Sequence, residues 1–199
     1  MPSLDVAIIV ESSVASDKKA GKIWETTSEF VGTFIKRISA KTANVNTGIV
    51  AFNGNQQYPL LKMALNTGGL EIKNLLLRQQ SASSSVNIVK SLEFAYNRFL
   101  TEEYSSMSNR KVLVAVTESR ITDVQFADII RNYPDERVLF LNVVMKYNRQ
   151  DVGLSDFGIE ESRKSVYSLS ELSELVRRIN QEHAELMVDG KNTDNNSYC

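Results

Sequence analysis

The sequence has few of the residues on which disulfide-rich folds and many enzymes depend. Its single cysteine, Cys199, is the last of 199 residues, so no disulfide can form within this chain and the core must be held without one. The thiol can stay unpaired or pair with another chain, and the sequence leaves both open. The single histidine, His183, falls in a C-terminal helical pattern four residues after the apolar Ile179. A Ser–His–Asp triad therefore has no convincing centre in this sequence.

Glycine-rich phosphate loops are also missing. The loop after the first apolar run reads ESSVASDKKAG, and neither GxGxxG nor GxxxxGK[ST] occurs, which argues against a nucleotide site because backbone N–H groups need such glycines to approach phosphate. Ser12 and Ser13 lack the GxSxG turn that exposes a nucleophile. A Glu11–Glu118 pair is conceivable for acid–base work, but nothing in the sequence predicts the pocket that it needs. We therefore expect no catalytic activity.

Charge and hydropathy argue against two further classes: proteins that bind nucleic acid or anionic membranes through a general charge, and membrane-spanning proteins. The net charge of -1 offers no general attraction to nucleic acid or to an anionic membrane. No apolar run approaches the roughly 20 residues that cross a bilayer, and the start, MPSLDVAIIV, lacks the charged n-region of a signal peptide. A chain of 199 residues that is 42% hydrophobic fits one globular domain.

Apolar runs alternate with amphipathic stretches from end to end. The patterns predict strands at 5–10, 45–53, 57–63, 111–117, 137–144 and 166–169, with helices at 19–40, 70–77, from 88 to about 100, after Thr122 and at 170–187. Asn53-Gly54-Asn55 predicts a hairpin turn, and Trp24 lies on the apolar face of its helix, so we expect it in the core. The expected fold is α/β: a doubly wound, mostly parallel central sheet with one antiparallel edge strand and helices on both faces. One domain over residues 1–188 and a polar, disordered tail over 189–199 are predicted.

Three polar loops should meet above this sheet. They are residues 11–17 after the first strand, the serine-rich stretch 79–85, and residues 118–121 after the strand 111–117. In doubly wound sheets, ligands bind beyond the carboxyl ends of the strands, where the strand order reverses. Hydroxyl and carboxylate oxygens are ligands that Mg²⁺ accepts, so a metal site is the chemistry to test here.

Six segments in order resemble one family. DVAIIVESSVA, VNTGIVAFNG, KSLEFAYNRFL, KVLVAVTES, VLFLNVV and VYSLSELSEL are similar to the corresponding segments of the von Willebrand factor type A (vWA) domain, and the resemblance covers residues 5–187. Among subfamilies the chain looks most like extracellular-matrix repeats such as those of collagen VI. The resemblance implies a Rossmann-like vWA fold.

The resemblance also implies the positions of a metal-ion-dependent adhesion site. The family's motif is Asp-x-Ser-x-Ser with a Thr and an Asp from two further loops; here Glu11, Ser13 and Ala15 stand at the first three positions and Glu118 at the last. The Thr position falls within residues 83–86. Ala15 has no hydroxyl to coordinate a metal, and each Glu adds a methylene to a compact shell whose geometry Mg²⁺ enforces strictly. We therefore expect a degenerate site without bound metal or other cofactor.

These expectations define the functional hypotheses. The leading one is a non-catalytic, cation-independent protein-interaction or structural module of a secreted extracellular-matrix or adhesion protein, part of a longer chain, whose partners are matrix components or neighbouring domains. The alternative is an intracellular vWA scaffold subunit of a multiprotein assembly. A basic cluster, Arg163-Lys164 with Arg177-Arg178, is either a solvated face or a contact for acidic glycans. Asn195 formally matches a glycosylation acceptor.

Overall fold

The computed structural model describes residues 3–14, 20–42, 44–53, 56–79, 81–82, 87–101, 105, 109–117, 121–122, 124–125, 128, 131, 138–144, 165–168, 172–179 and 181. Within them the strands are β1 (Leu4–Glu11), β2 (Ser13–Val14), β3 (Val45–Asn53), β4 (Gln56–Leu65), β5 (Ser81–Ala82), β6 (Arg110–Thr117), β7 (Val138–Val144) and β8 (Ser165–Ser168). The helices are α1 (Ala20–Ser39), α2 (Gly69–Leu77) and α3 (Ile88–Phe99), and residues 172–179 and 181 are also helical. The predicted elements are thus present. Where the sequence predicted both ends of an element and the structure describes them, the observed bounds differ from the predicted ones by at most two residues.

Six strands form one sheet in the order β4-β3-β1-β6-β7-β8. β3, β1, β6, β7 and β8 are parallel, and β4 joins β3 antiparallel at the edge. Every residue of β1 and β7 is buried, as expected for strands covered on both faces. The predicted fold class, with its single antiparallel edge strand, is confirmed.

Helices cover both faces of this sheet because the side chains of each strand alternate between them. Val6, Ile8 and Val10 of β1 pack in one hydrophobic cluster with α1, α2 and the helical residues 172–179. Ala7 and Ile9 pack in a second cluster with α3. We call these the α1 face and the α3 face.

On the α1 face, α1 and α2 form an antiparallel pair in close contact. Trp24 is 2% exposed and its Nε1 donates to the carbonyl of Leu76 at 3.0 Å, which confirms its predicted place in the core. Near the middle of α1, a Cβ built on Gly69 would lie 2.1 Å from the carbonyl oxygen of Gly32. The backbones of the two helices therefore approach at a point where neither helix has room for a side chain.

The antiparallel edge strand pairs with β3 as a hairpin. Asn53 lies opposite Gln56, which confirms the predicted hairpin, although residues 54–55 of its turn lie outside the described residues. The ladder shifts register twice, between Thr47 and Ile49 and between Ile49 and Val50. β4 also carries Pro59, which lacks an N–H donor. Prolines and bulges are devices that keep an edge strand from pairing with other chains.

A buried polar network closes the amino end of the sheet. Asp5 is fully buried, and its carboxylate accepts hydrogen bonds from Asn46 Nδ2 at 2.6 Å, from Asn109 Nδ2 at 3.0 Å and from the hydroxyl of Ser105. Lys111, 1% exposed, lies beside Asp5 in register on β6. The network therefore joins the first strand to β3 and to the segment that precedes β6, both distant in sequence.

Among the described helices, none is long and apolar enough to span a bilayer. The predicted tail at 189–199, with Asn195 and Cys199, lies outside the described residues, as does His183.

Candidate binding edge

The strand order reverses between β1 and β6. From β1 the chain proceeds to β3 and β4 on one side, and it then returns to β6, β7 and β8 on the other. Val10 pairs with Val116, so Glu11 and Thr117, one residue further on, end their parallel strands side by side. Loops that leave the carboxyl ends of such strands border the ligand-binding crevice of doubly wound folds. We call this end of the sheet the binding edge.

A second, two-stranded sheet brings the first loop to the serine-rich stretch. β2 and β5 pair in parallel, with Ser13 opposite Ser81 and Val14 opposite Ala82. Ser13, a predicted metal-site position, thus lies beside the serine-rich loop that was expected to supply a further ligand. The sequence did not predict this pairing, because two-residue strands carry no periodic signal.

Glu11 is buried, not presented to solvent. It is 7% exposed, and the alternation that sends Ala7 and Ile9 to the α3 face sends its side chain there too. Phe52, its neighbour in register on β3, also packs on that face, and Gln57 lies opposite Phe52 on β4. Glu11 is therefore a buried polar group beside the core residue Phe52.

The residue after Glu11 fixes the start of the first loop. The backbone N–H of Ser12 donates to the carbonyl of Phe52 at 2.9 Å, and the Ser12 hydroxyl donates to the same oxygen at 3.2 Å. Ser12 is 2% exposed. A hydroxyl committed to a backbone carbonyl in the interior is a structural group and not an activated nucleophile, which needs a neighbouring base.

On the β6 side of the point where the strand order reverses, the side chain of Asn142 on β7 forms hydrogen bonds to the end of β6 and to Ile121. The side chain is fully buried; Nδ2 donates to the carbonyl of Ala115 at 3.0 Å and to Thr117 Oγ1 at 2.9 Å, and Oδ1 accepts from the backbone N–H of Ile121 at 3.1 Å. Thr117 and Ile121 flank residues 118–120. Sequence reasoning missed this residue, although an asparagine inside the apolar run VLFLNVV is the kind of buried polar group that signals a network.

The helix predicted after Thr122 is capped by that residue. Thr122 Oγ1 accepts from the backbone N–H of Gln125 at 3.3 Å, and Gln125 Oε1 accepts from the Thr122 backbone N–H at 2.9 Å. This reciprocal arrangement is a capping box. The chain after residues 118–120 is thus fixed at Ile121 and Thr122 in succession.

The predicted metal ligands fall only partly within the described residues. Ala15, Glu118 and residues 83–86 lie outside them, and the side chain of Ser13 is not described. Among the described residues, no group of three or more acidic, histidine or cysteine side chains is placed to hold a metal ion. The one predicted carboxylate that is described, Glu11, is buried on the α3 face. The degenerate site therefore stays a prediction from the sequence.

The predicted basic cluster is partly neutralised. Arg177 donates to both carboxylate oxygens of Glu174, from Nε at 2.8 Å and from Nη2, and its Nη1 donates to Gln181 Oε1 at 2.6 Å. The hydrogen bond from Arg177 lowers the pKa of Glu174, and the charges of Arg177 and Arg178 add to this. Residues 163–164, the other half of the cluster, lie outside the described residues.

Comparisons with known proteins agree with this geometry. The family model of the von Willebrand factor type A domain matches residues 5–196, and the chain therefore belongs to that family. Domains of this family commonly mediate protein interactions. A search of curated proteins finds no match to this chain.

Solved structures share the fold at low identity. A von Willebrand factor type A protein from Catenulispora acidiphila aligns with a TM-score of 0.59 at 13% identity, over 89% of this chain and 42% of its own. The conserved hypothetical protein BatB from Bacteroides thetaiotaomicron aligns with a TM-score of 0.61 at 12% identity, over 92% of this chain and 100% of its own. Proximal thread matrix protein 1 of the mussel byssus aligns with a TM-score of 0.57 at 14% identity, over 88% of this chain and 44% of its own. This chain thus spans less than half of two of these proteins, and the likeness extends to the fold alone.

Proposed function

We propose that this domain is a non-catalytic interaction module that binds a protein partner through the loops of its binding edge, without a tightly held cation. The β2–β5 pairing carries the proposal. It brings the loop of Ser13 to the serine-rich loop, beside the strand reversal where Glu11 and Thr117 end together. The first loop and the serine-rich loop therefore stand side by side at the edge where ligands of such sheets bind.

The residues at this edge favour recognition over metal binding or catalysis. Ala15 stands where the family motif places a hydroxyl ligand, and a methyl group cannot coordinate. Glu11 is buried and the Ser12 hydroxyl donates to the backbone carbonyl of Phe52. These two side chains therefore stabilise the start of the first loop and are not exposed to a partner. A partner would then contact the loops by hydrogen bonds and surface complementarity, with no charge supplied by a metal.

For the biological context we propose an extracellular-matrix protein, with matrix proteins or neighbouring domains of the same chain as partners. The six segments that resemble the family look most like matrix repeats, which supports this context. The solved structures share only the fold and do not separate it from an intracellular scaffold subunit. Flanking sequence separates the two: a signal peptide or Gly-X-Y repeats in the full gene would support the matrix, and a complete gene without either would favour the scaffold.

Calorimetric titration with Mg²⁺ and Mn²⁺ tests the cation-independence. The unaltered domain is titrated after metal stripping, beside a variant that restores the family ligands through Glu11→Asp, Ala15→Ser and Glu118→Asp. We expect no heat from the unaltered domain and saturable binding by the variant, which would show that the loops keep the family geometry. Micromolar Mg²⁺ or Mn²⁺ binding by the unaltered domain would overturn this part of the proposal.

Partner binding tests the location of the surface. The domain is passed over immobilised collagens and other matrix proteins, in EDTA and in Mg²⁺. Ser81→Arg places a bulky charge at the binding edge, and Leu65→Arg, at a position that is 58% exposed on β4, places the same charge at the amino end of the sheet. Binding that survives EDTA, fails with Ser81→Arg and persists with Leu65→Arg supports the proposal. Equal loss in both variants, or binding that requires Mg²⁺, contradicts it.

A further inference from the structure

We propose that the end of α1 is a second binding surface, which takes a sulfated glycan through three cations, Lys36, Arg37 and Lys41. We call these side chains the α1 cations. They lie at the amino end of the sheet, because α1 ends at Ser39 and the next strand, β3, begins at Val45. The binding edge is at the opposite end of the sheet, so this inference goes beyond the proposed function and does not depend on it.

The charges of the α1 cations are not balanced by the rest of the described chain. All three side chains are exposed. The ion pairs between described residues use other cations, and none includes Lys36, Arg37 or Lys41. Arg37 Nη1 donates to Ser173 Oγ at 2.8 Å, which orients the guanidinium through a neutral group and leaves its charge available. An anion from outside the domain therefore meets no competing carboxylate on these side chains among the residues that the structure describes.

The positions of these cations are not explained by the stability of α1 alone. Cations in the last turn complement the helix dipole, which accounts for Lys36 and Arg37. Lys41 follows Arg37 by four residues, and the chain still turns as a helix there, because Ala40 N–H donates to the carbonyl of Lys36 at 3.1 Å and Thr42 N–H donates to that of Ile38 at 3.0 Å. Like charges at this spacing destabilise a helix. A bound polyanion gives the third cation a use that the dipole does not.

The spacing of the α1 cations lets them act as one patch. From Lys36 to Lys41 the helical rise is about 7.5 Å, which is shorter than the Debye length of about 10 Å at 0.1 M salt. The potentials of the three charges therefore overlap in solution, although the whole chain has a net charge of -1. A sulfated glycan carries sulfate and carboxylate groups at short intervals along one flexible chain, so a single glycan can contact all three cations.

The neighbouring side chains favour a glycan over two other polyanions. A helix that binds an anionic membrane combines its cations with large apolar side chains that enter the lipid. Single-stranded nucleic acid is bound by cations together with exposed aromatic rings on which bases stack. Among the described residues, none of the exposed large hydrophobic or aromatic side chains belongs to α1. The surface thus offers charge and hydrogen-bond donors alone, which is what a hydrophilic polyanion needs.

Titration of the whole chain with heparin over a range of salt tests the proposal. Lys36→Ala combined with Lys41→Ala removes two cations from the surface. Arg177→Ala combined with Arg178→Ala is the matched control, because it removes the same charge from the helical residues 172–179, where Glu174 pairs with Arg177. We expect heparin affinity to fall about tenfold in the first variant and to stay within about twofold in the control. The slope of log affinity against log salt should fall by roughly one to two in the first variant, since fewer counterions are released.

Two further measurements separate a glycan site from general charge and from a fold defect. Lys36→Arg combined with Lys41→Arg keeps both charges and should keep heparin affinity. On a sulfonate cation-exchange column, the Lys36→Ala, Lys41→Ala variant and the matched control should shift equally, because this matrix reports net charge. The urea midpoint of every variant should equal that of the unaltered protein, since all four positions are on the surface.

Each contrary outcome overturns the proposal. No heparin binding by the unaltered protein, or equal falls in affinity in the two alanine variants, would show that the α1 cations form no glycan site. Loss of binding in the arginine variant would show that charge at these positions is not what the ligand contacts. Binding to phosphatidylserine–phosphatidylcholine vesicles that requires Lys36 and Lys41, with heparin affinity unchanged, would assign the surface to lipid instead. Protein binding at the binding edge is measured without heparin, so its result stands apart from these.

Discussion

The two ends of the sheet both bury polar side chains, and they connect them to different parts of the chain. At the amino end, the Asp5 carboxylate accepts from Asn46 on β3 and from Ser105 and Asn109, both in the connection between α3 and β6. At the carboxyl end, Asn142 bonds to the strand end at Thr117 and to the chain just beyond residues 118–120 at Ile121. The first network connects β1 to β3 and to the segment before β6. The second connects β7 to β6 and to Ile121.

This difference predicts which substitutions lower stability most. A charge buried among framework partners is costly to remove, because each partner loses its acceptor. Replacing the neutral Asn142 side chain, which bonds to Thr117 and Ile121, should lower the free energy of unfolding less. Hydrogen bonds to a buried side chain thus connect framework elements at the amino end, and at the carboxyl end they hold Thr117 and Ile121 at the binding edge. Substitutions at the two ends should separate these roles.

The largest expected effect is at the amino end. Asp5→Ala removes a buried carboxylate and leaves three donors without their acceptor, so we expect the free energy of unfolding to fall by about 3 to 5 kcal/mol. Asn46→Ala removes one of the three donors and should cost about 1 to 2 kcal/mol. Urea denaturation measures both. Equal losses in the two variants would show that Asp5 is not the centre of the network.

The next largest loss of stability should distinguish substitutions at two adjacent glycines, Gly68 and Gly69. Gly69→Ala would place a Cβ 2.1 Å from the carbonyl oxygen of Gly32, which forces α2 away from α1, and overpacking of this kind costs about 1 to 3 kcal/mol. Gly68→Ala meets no atom within 4 Å, at φ -72 and ψ 139, and should change stability by less than about 0.5 kcal/mol. Thermal unfolding of the pair measures the difference. Similar melting temperatures for both variants would contradict the close approach of the helices.

A smaller effect is expected where the same helix pair meets near the binding edge. Trp24→Phe keeps most of the buried ring but loses the Nε1 donation to Leu76, which should cost about 1 kcal/mol. In the unaltered protein, iodide should quench the fluorescence of Trp24 only weakly, because the side chain is 2% exposed. Strong quenching of the native protein would place this ring outside the core.

The smallest effect concerns the ion pair between Arg177 and Glu174 on the helical residues 172–179. The hydrogen bond from Arg177 holds the pKa of Glu174 below its ordinary value of 4.5; the contribution to stability is present above that value and is lost as the pH falls through the lowered pKa. Because the Glu174 side chain is 48% exposed, the contribution should stay within about 0.5 kcal/mol. Arg177→Ala should raise the pKa of Glu174 towards 4.5 in an NMR titration, and an unmoved titration would count against the pair.

The same pairing predicts the outcome for the glycan hypothesis. Arg177 is engaged by Glu174 and Gln181, so its charge is partly balanced on the surface. Elution from heparin should not change when Arg177 and Arg178 are both replaced by alanine. Markedly earlier elution of this double variant would favour a glycan contact.

The sequence was a good guide where a pattern extends over many residues. Strands such as KVLVAVT and the long amphipathic helix at Trp24 were predicted because burial repeats with a fixed period, and the Asn-Gly pair predicted the hairpin through its turn chemistry. The β2–β5 pairing, the contact between Gly32 and Gly69, and the Asp5 and Asn142 networks were not predicted. Each depends on one or two residues meeting across a long stretch of chain, and no local pattern encodes such a meeting.

The order of the strands has a consequence for synthesis on the ribosome. β1 is made first, yet it ends in the middle of the sheet, and its neighbour β6 begins at Arg110. While the chain between them is being made, β1 can pair on one side with β3 but has an open edge on the other. Long-range parallel pairing of this kind slows folding and leaves strand edges exposed. The nascent domain therefore passes through a stage in which a strand that is buried on both faces in the folded domain is paired on one edge only.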